Sequence, residues 1–150
     1  AQRTMNTYLG ACVTLGPDDV DEEDVRNSAV TYLEGYLWDP PAAKEAFRKA
    51  MAIAHEAGRK VALTLSDAFC VERYRAEFRE LVETGVDIVF ANEAEICSLY
   101  EVQNFDDALQ KLRGKTALAA LTRSEKGSVV VAGDEIHVID PERVARPVDT

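Results

Sequence analysis

Histidine and tryptophan are scarce in this 150-residue chain, at two and one copies, and its eight glycines never form a G-x-G-x-x-G run. That absence removes the usual dinucleotide fingerprint. His55 and His137 have no second His or Cys at ligand spacing and read as packed or surface residues, not as zinc ligands or catalytic bases. Cys12, Cys70 and Cys97 are odd in number, far apart and without C-x-x-C spacing. They exclude a disulfide framework and lead us to expect reduced thiols in a cytoplasmic protein. No uninterrupted apolar stretch exceeds the five residues of Ala117–Leu121. A bilayer span needs about 20, and no basic-then-apolar leader opens the chain, so no membrane partner is expected. Basic residues are outnumbered, 17 against 27 acidic, for a formal charge of −10. Such a balance argues against a nucleic-acid partner, which demands clustered Lys and Arg.

What is present, 47% hydrophobic and 29% charged residues, is the profile of one globular α/β domain. A chain of this length buries roughly two-thirds of its unfolded surface and needs no staples. Arg3–Val13 suits a strand leading to the turn at Gly16-Pro17. Six of the seven positions from Asp18 to Asp24 are acidic. This run reads as a solvated helix start, opening a short helix near Asp21–Asn27. Ala29–Leu37 is a mostly apolar strand, and Ala42–Ala57 a helix whose stripe of Ala43, Ala46, Phe47, Ala50, Met51 and Ala54 is closed by Gly58. Further strands are expected at Lys60–Leu65, Asp87–Ala91 and Thr116–Leu121. Helices are expected at Val71–Glu83, Glu93–Tyr100 and Phe105–Leu112. Ser128–Val131 and Glu135–Ile139 flank Gly133-Asp134 as a hairpin.

Strands alternating with helices call for right-handed crossovers and a mostly parallel sheet with helices on both faces. Ligands of such sheets sit beyond the carboxyl ends of the strands, which directs attention to the loops after Leu37, Leu65, Phe90 and Leu121. Ser66-Asp67, in one of them, reads as a helix cap. Gly114-Lys115-Thr116 has the ending of a P-loop but precedes a strand, with Leu109 where the first glycine belongs, and is rejected. No nucleophile elbow is present and no Cys lies near a His in sequence, so covalent acyl chemistry has no support.

Two loops carry alternatives. Asn92-Glu93-Ala94-Glu95 fits a capping box, with Asn at the cap and Glu three residues on. Taken alone the capping box is the favoured reading; the alternative is a phosphate site in which the carboxylate organises hydrated Mg²⁺ and the amide orients phosphate oxygens. Leu121-Thr122-Arg123-Ser124-Glu125-Lys126-Gly127 is either a plain surface turn or an anion loop that offers a hydroxyl, backbone amides and positive charge.

In order along the chain, Phe90-Ala91-Asn92-Glu93-Ala94-Glu95, Thr122-Arg123-Ser124-Glu125-Lys126-Gly127 and Val148-Asp149-Thr150 resemble the ribokinase-like (PfkB) carbohydrate and purine kinases. That family carries N-x-x-E, T-x-G-x-x-G and D-T-x-G-A-G-D motifs in the same sequence. Arg3-Thr4-Met5-Asn6-Thr7 and Tyr32-Leu33-Glu34-Gly35-Tyr36-Leu37 are also similar to family segments. The likeness spans essentially the whole chain and is closest to bacterial adenosine-kinase-like members.

The resemblance implies a ribokinase-like α/β fold and an ATP-dependent phosphotransferase acting on a hydroxyl of a sugar or nucleoside. It implies that Asn92 and Glu95 lie near Mg²⁺ and the ATP phosphates, and that Thr122, Arg123, Ser124, Glu125, Lys126 and Gly127 line the nucleotide. Asp149 would bind a monovalent cation such as K⁺, Arg3 would approach the transferred phosphate, and Tyr36 would wall the substrate site. A homodimer is compatible with the family. Ser124 departs from the family glycine, and at φ > 0 it would cost about 1 kcal/mol or more. The resemblance also makes these residues the central part of a longer kinase domain, with the general base beyond Thr150, so the 150 residues alone are expected to lack turnover. The alternatives are a non-catalytic nucleotide-binding or regulatory module, and a stable α/β piece whose bare apolar flank favours self-association.

Overall fold

The computed structural model describes residues 4–143. Strands β1 (Val30–Glu34), β2 (Lys60–Thr64), β3 (Ile88–Asn92) and β4 (Leu118–Thr122) run parallel in chain order. The hairpin of β5 (Ser128–Ala132) and β6 (Glu135–Ile139) then extends the sheet antiparallel, turning at Gly133 with φ +59°. The helices are α1 (Glu22–Asn27), α2 (Pro41–Glu56), α3 (Ala68–Arg73), α4 (Arg75–Glu80), α5 (Glu93–Tyr100) and α6 (Phe105–Leu112). Among the described residues, no helix is long and apolar enough to cross a membrane.

Right-handed crossovers between strands that are adjacent in chain order all land on one face of the sheet. Leu33, Val61, Leu63, Val89, Ala91, Ala119 and Leu121 are accordingly buried under the helices. The alternate positions Tyr32 and Phe90 stay 55% and 41% exposed, with ring centroids 6.3 Å apart. Helices on both faces were expected; among the described residues they cover one.

The core on the covered side is anchored by Trp38, 1% exposed, which tilts against Phe47 and Phe78 and donates its indole N–H to Glu77 at 3.0 Å. The buried stripe of α2 is the one its periodicity calls for. The acidic run begins α1 as expected: Asp21 accepts from the amides of Glu23 and Asp24. The three cysteines are free.

Four expected elements differ. In place of a strand over Arg3–Val13, the described part is irregular and ends in a 3-10 turn at Gly10–Thr14; Gly10 takes φ +61° and no neighbouring strand pairs with it. The strand expected at Ala29–Leu37 stops at Glu34, because Gly35 passes so close to Thr64 O and Ser66 Oγ that only glycine fits, and a 3-10 turn follows. The helix expected at Val71–Glu83 is capped earlier by Asp67, breaks at Tyr74 and ends in a π turn over Leu81–Gly85. Finally, Thr116 does not start β4. Its hydroxyl donates to Asp87 O at 2.8 Å and holds the preceding turn instead.

Candidate functional site

β3 and β4 are neighbours, and their last residues, Asn92 and Thr122, are partners in register. The two loops singled out in the sequence therefore leave the sheet side by side. At the β3 exit Asn92 is the N-cap of α5: its side chain accepts from the Glu95 amide at 2.8 Å. Glu95 returns the bond, accepting from the Asn92 amide at 2.9 Å and from Asn92 Nδ2 at 2.6 Å. The capping box is thus real. Glu95 is only 5% exposed, and its carboxyl pKa is raised, chiefly by burial, with the Asn92 amide pulling the other way and Asp67 and Glu34 adding repulsion.

At the β4 exit the chain makes a 3-10 turn over Ser124–Lys126, and the Arg123 amide donates to Gly127 O at 2.8 Å. Ser124 takes φ +52° and Gly127 φ +82°. Gly127 is irreplaceable on steric grounds, since a Cβ would run into the carbonyl of Ile139. Arg123 reaches across to α5, donating to Glu93 Oε2 at 3.0 Å while its guanidinium lies 4.0 Å from the Phe105 ring. Lys126 approaches the other oxygen of Glu93 at 3.4 Å. These donors, Arg123 first, hold the Glu93 carboxyl below its ordinary value against a smaller opposing effect of burial.

Asn92, Glu93 and Ala94 from one exit and Thr122 through Lys126 from the other line a single open cavity of about 520 Å³. Of the anticipated residues, Asn92, Thr122, Arg123, Ser124, Glu125 and Lys126 all line it. Glu95 does not; it lines a second cavity of about 470 Å³, which shares Asn92 and Thr122 with the first. Gly127 shapes the loop without lining either cavity. Tyr36 stands in the 3-10 turn after β1, half exposed, and lines neither. Its hydroxyl pKa is raised by burial and then by Asp67, Glu95 and Glu34, which gather at the strand ends. Arg3 and Asp149, with the Val148-Asp149-Thr150 motif, lie outside the described residues.

Sequence reading missed Glu93, Phe105, Cys97 and Gln103. Glu93 is an unmarked position inside N-x-x-E, and nothing in the chain order signals that Arg123 would meet it. Among the described residues, no group of three or more His, Cys, Asp or Glu stands close enough to share a metal ion. With both Glu95 oxygens engaged by Asn92, this pair is suited to a hydrated Mg²⁺ held through water and not to direct ligation.

The model of the pfkB family of carbohydrate kinases matches residues 1–150. The chain belongs to the pfkB family. Its fold superposes on the adenosine kinase of Sinorhizobium meliloti with a TM-score of 0.90 at 57% identity, covering 95% of this chain and 44% of that one. A probable sugar kinase from Rhizobium etli CFN 42 gives a TM-score of 0.90 at 51% identity, again covering 95% of this chain and 44% of the other. A putative ribokinase II from E. coli, solved with ATP and Mg²⁺, shares the fold at TM-score 0.78 and 17% identity, over 89% of this chain and 44% of that one. The chain thus spans less than half the length of these pfkB-type structures. No curated protein matches it. The pfkB assignment makes the fold ribokinase-like, a mostly parallel sheet closed by antiparallel C-terminal strands.

The features set aside in the sequence have structural occupations in this pfkB chain. Asp67 caps α3 through Phe69 N at 2.7 Å, and Gly114 serves a turn at φ +72°. His55 lies 3.2 Å from Asp87, and His137 lies 3.4 Å from Glu135.

Proposed function

We propose that this chain is the nucleotide-holding part of an ATP-dependent phosphotransferase that passes a phosphoryl group to a hydroxyl of a nucleoside or sugar. The observation that carries this reading is the shared cavity: two adjacent strand exits, of which one is rigidly capped and the other rich in donors, converge on one space. ATP supplies the phosphoryl group when bound. Thr122 Oγ1 and the amides of Ser124 and Glu125, which the turn's own hydrogen bonds leave over, face the phosphates, and Lys126, whose contact with Glu93 is long at 3.4 Å, is the cation free to turn to them. Arg123, clamped between Glu93 and Phe105, keeps the loop in place. Asn92 orients a phosphate oxygen, and Glu95 organises the water shell of Mg²⁺. Such catalysis is chiefly positioning and charge stabilisation.

On the same reading Arg3 approaches the transferred phosphate, Tyr36 walls the acceptor, Asp149 holds K⁺, and the protein works in the cytoplasm. These residues form the central part of one kinase domain, so the 150 residues alone bind nucleotide without turnover. The test is calorimetry with ATP and Mg²⁺ on wild type, Lys126→Ala and Asn92→Ala. Each substitution should weaken binding by about tenfold, the loss of one charge-assisted contact. Unchanged affinity in both would leave Asn92 only its capping role and sink the proposal. Adenosine and a panel of sugars, offered to the intact kinase, then identify the acceptor. Phosphorylation by the 150 residues alone would refute the division of labour.

A further inference from the structure

Near the opposite edge of the sheet, where β3 and β4 begin, a cavity of about 410 Å³ opens between the end of α4, the C-terminus of α5 and the end of α6. Its lining has four cations, Arg79, Lys111, Arg113 and Lys115, against one carboxylate, Glu83, in a chain of formal charge −10. Part of this charge is spoken for. Arg79 Nη2 donates to Leu99 O at 2.6 Å and lies 3.8 Å from Glu101 Oε2, and Lys111 Nζ donates to Tyr100 O at 3.2 Å, which satisfies the carbonyl end of α5. Arg113 stands 3.7 Å from the exposed Asp134, a weak surface pair. Lys115 has no ion pair among the described residues.

Two buried donors sharpen the picture. Tyr100 is 3% exposed, and neither its hydroxyl nor Arg79 Nε meets an acceptor among the described residues. Both residues line this cavity, with the two donor atoms buried just behind its surface. Buried polar groups are ordinarily satisfied, so orphan donors beneath a cluster of cations ask for an acceptor that the chain itself does not provide.

We infer that this cavity binds a phosphate group, free or carried by a small metabolite, at a site separate from the nucleotide cavity. A phosphate brings two negative charges and several acceptor oxygens, enough for donors arriving from three segments at once; a lone carboxylate brings one charge and two oxygens. The geometry also links the two cavities, since α5 begins at one with Glu93 and ends at the other with Tyr100.

The experiment is calorimetric titration of inorganic phosphate into the intact kinase chain. Saturable one-to-one binding is expected, weakened about tenfold by Arg113→Ala together with Lys115→Ala, both exposed and remote from the core. Lys126→Ala, in the other cavity, should leave the Arg113- and Lys115-dependent binding unchanged even where it removes a separate phosphate event of its own, so the result does not depend on whether ATP binds there. Tyr100→Phe keeps the ring and removes the orphan hydroxyl; phosphate should bind more weakly while the unliganded Tm holds or rises. Tighter binding of ribose 5-phosphate than of phosphate would support the carried form, and equal binding the free ion. No saturable phosphate binding would overturn the inference. So would binding that is lost in Lys126→Ala and kept in the Arg113/Lys115 variant. An unliganded Tm that falls in Tyr100→Phe with phosphate affinity unmoved would overturn it too, by giving the hydroxyl a purely structural partner such as an ordered water.

Discussion

At the β3 exit, Asn92 and Glu95 exchange three hydrogen bonds within four residues of chain, with Asn92 exposed and the Glu95 side chain buried. At the neighbouring β4 exit, the turn from Arg123 to Gly127 holds Ser124 and Gly127 at positive φ and is tied down by Glu93, 30 residues earlier. The first loop satisfies itself locally and is stiff before any ligand arrives. The second is strained, and partners distant in sequence keep it in shape. The pair teaches a division of work: a locally capped post stands beside a turn whose shape depends on Glu93 and Ile139, both far off in the sequence.

The contrast breaks most severely at Gly127. Gly127→Ala, with a Cβ against Ile139 O at φ +82°, should cost roughly 2–4 kcal/mol in urea unfolding, whereas Gly133→Ala, in open space at φ +59°, should cost only about 1 kcal/mol. Equal losses would show that the close approach is not a constraint. Next in size, Glu95→Ala strips the Asn92 amide and Nδ2 of their acceptor and should destabilise by about 1–3 kcal/mol.

Ser124→Gly relieves the left-handed strain at φ +52° and should raise stability by about 0.5–1 kcal/mol, read as a higher urea midpoint at constant m-value. The tether itself is smaller. A double-mutant cycle of Glu93→Ala and Arg123→Ala should return a coupling of about 0.5–1 kcal/mol.

The two glutamates also predict opposite pH slopes. Glu93 is held below the ordinary value of 4.5, so the stability it adds is present above 4.5 and is lost as pH falls through the lowered value. Glu95 is raised, so its contribution is full below 4.5 and declines as pH climbs through the raised value. Stability profiles of wild type against Glu93→Gln and Glu95→Gln should therefore diverge in opposite directions.

Much of this architecture was legible beforehand. The helical stripe of α2, the hairpin at Gly133-Asp134 and the capping box at Asn92 are short-range patterns, in which the residues that matter stand within a turn or two of each other. The strained position of Ser124 was anticipated through the family motif and is there at φ +52°. Errors cluster where an element ends because of something remote. Gly35 closes β1 because Thr64 and Ser66 crowd it, and the expected helix over Val71–Glu83 begins early and breaks at Tyr74.

Periodicity, capping residues and motif order were enough to determine the alternation of strands and helices, the family, and which two loops to compare, because those signals are written in neighbouring positions. Tertiary structure alone decided that Asn92 and Thr122 stand in register, that Glu93 holds Arg123 over Phe105, and that helices cover one sheet face among the described residues. Each of these depends on strand order and on distances between segments some 30 residues apart, and chain-local chemistry carries no record of which strand becomes whose neighbour.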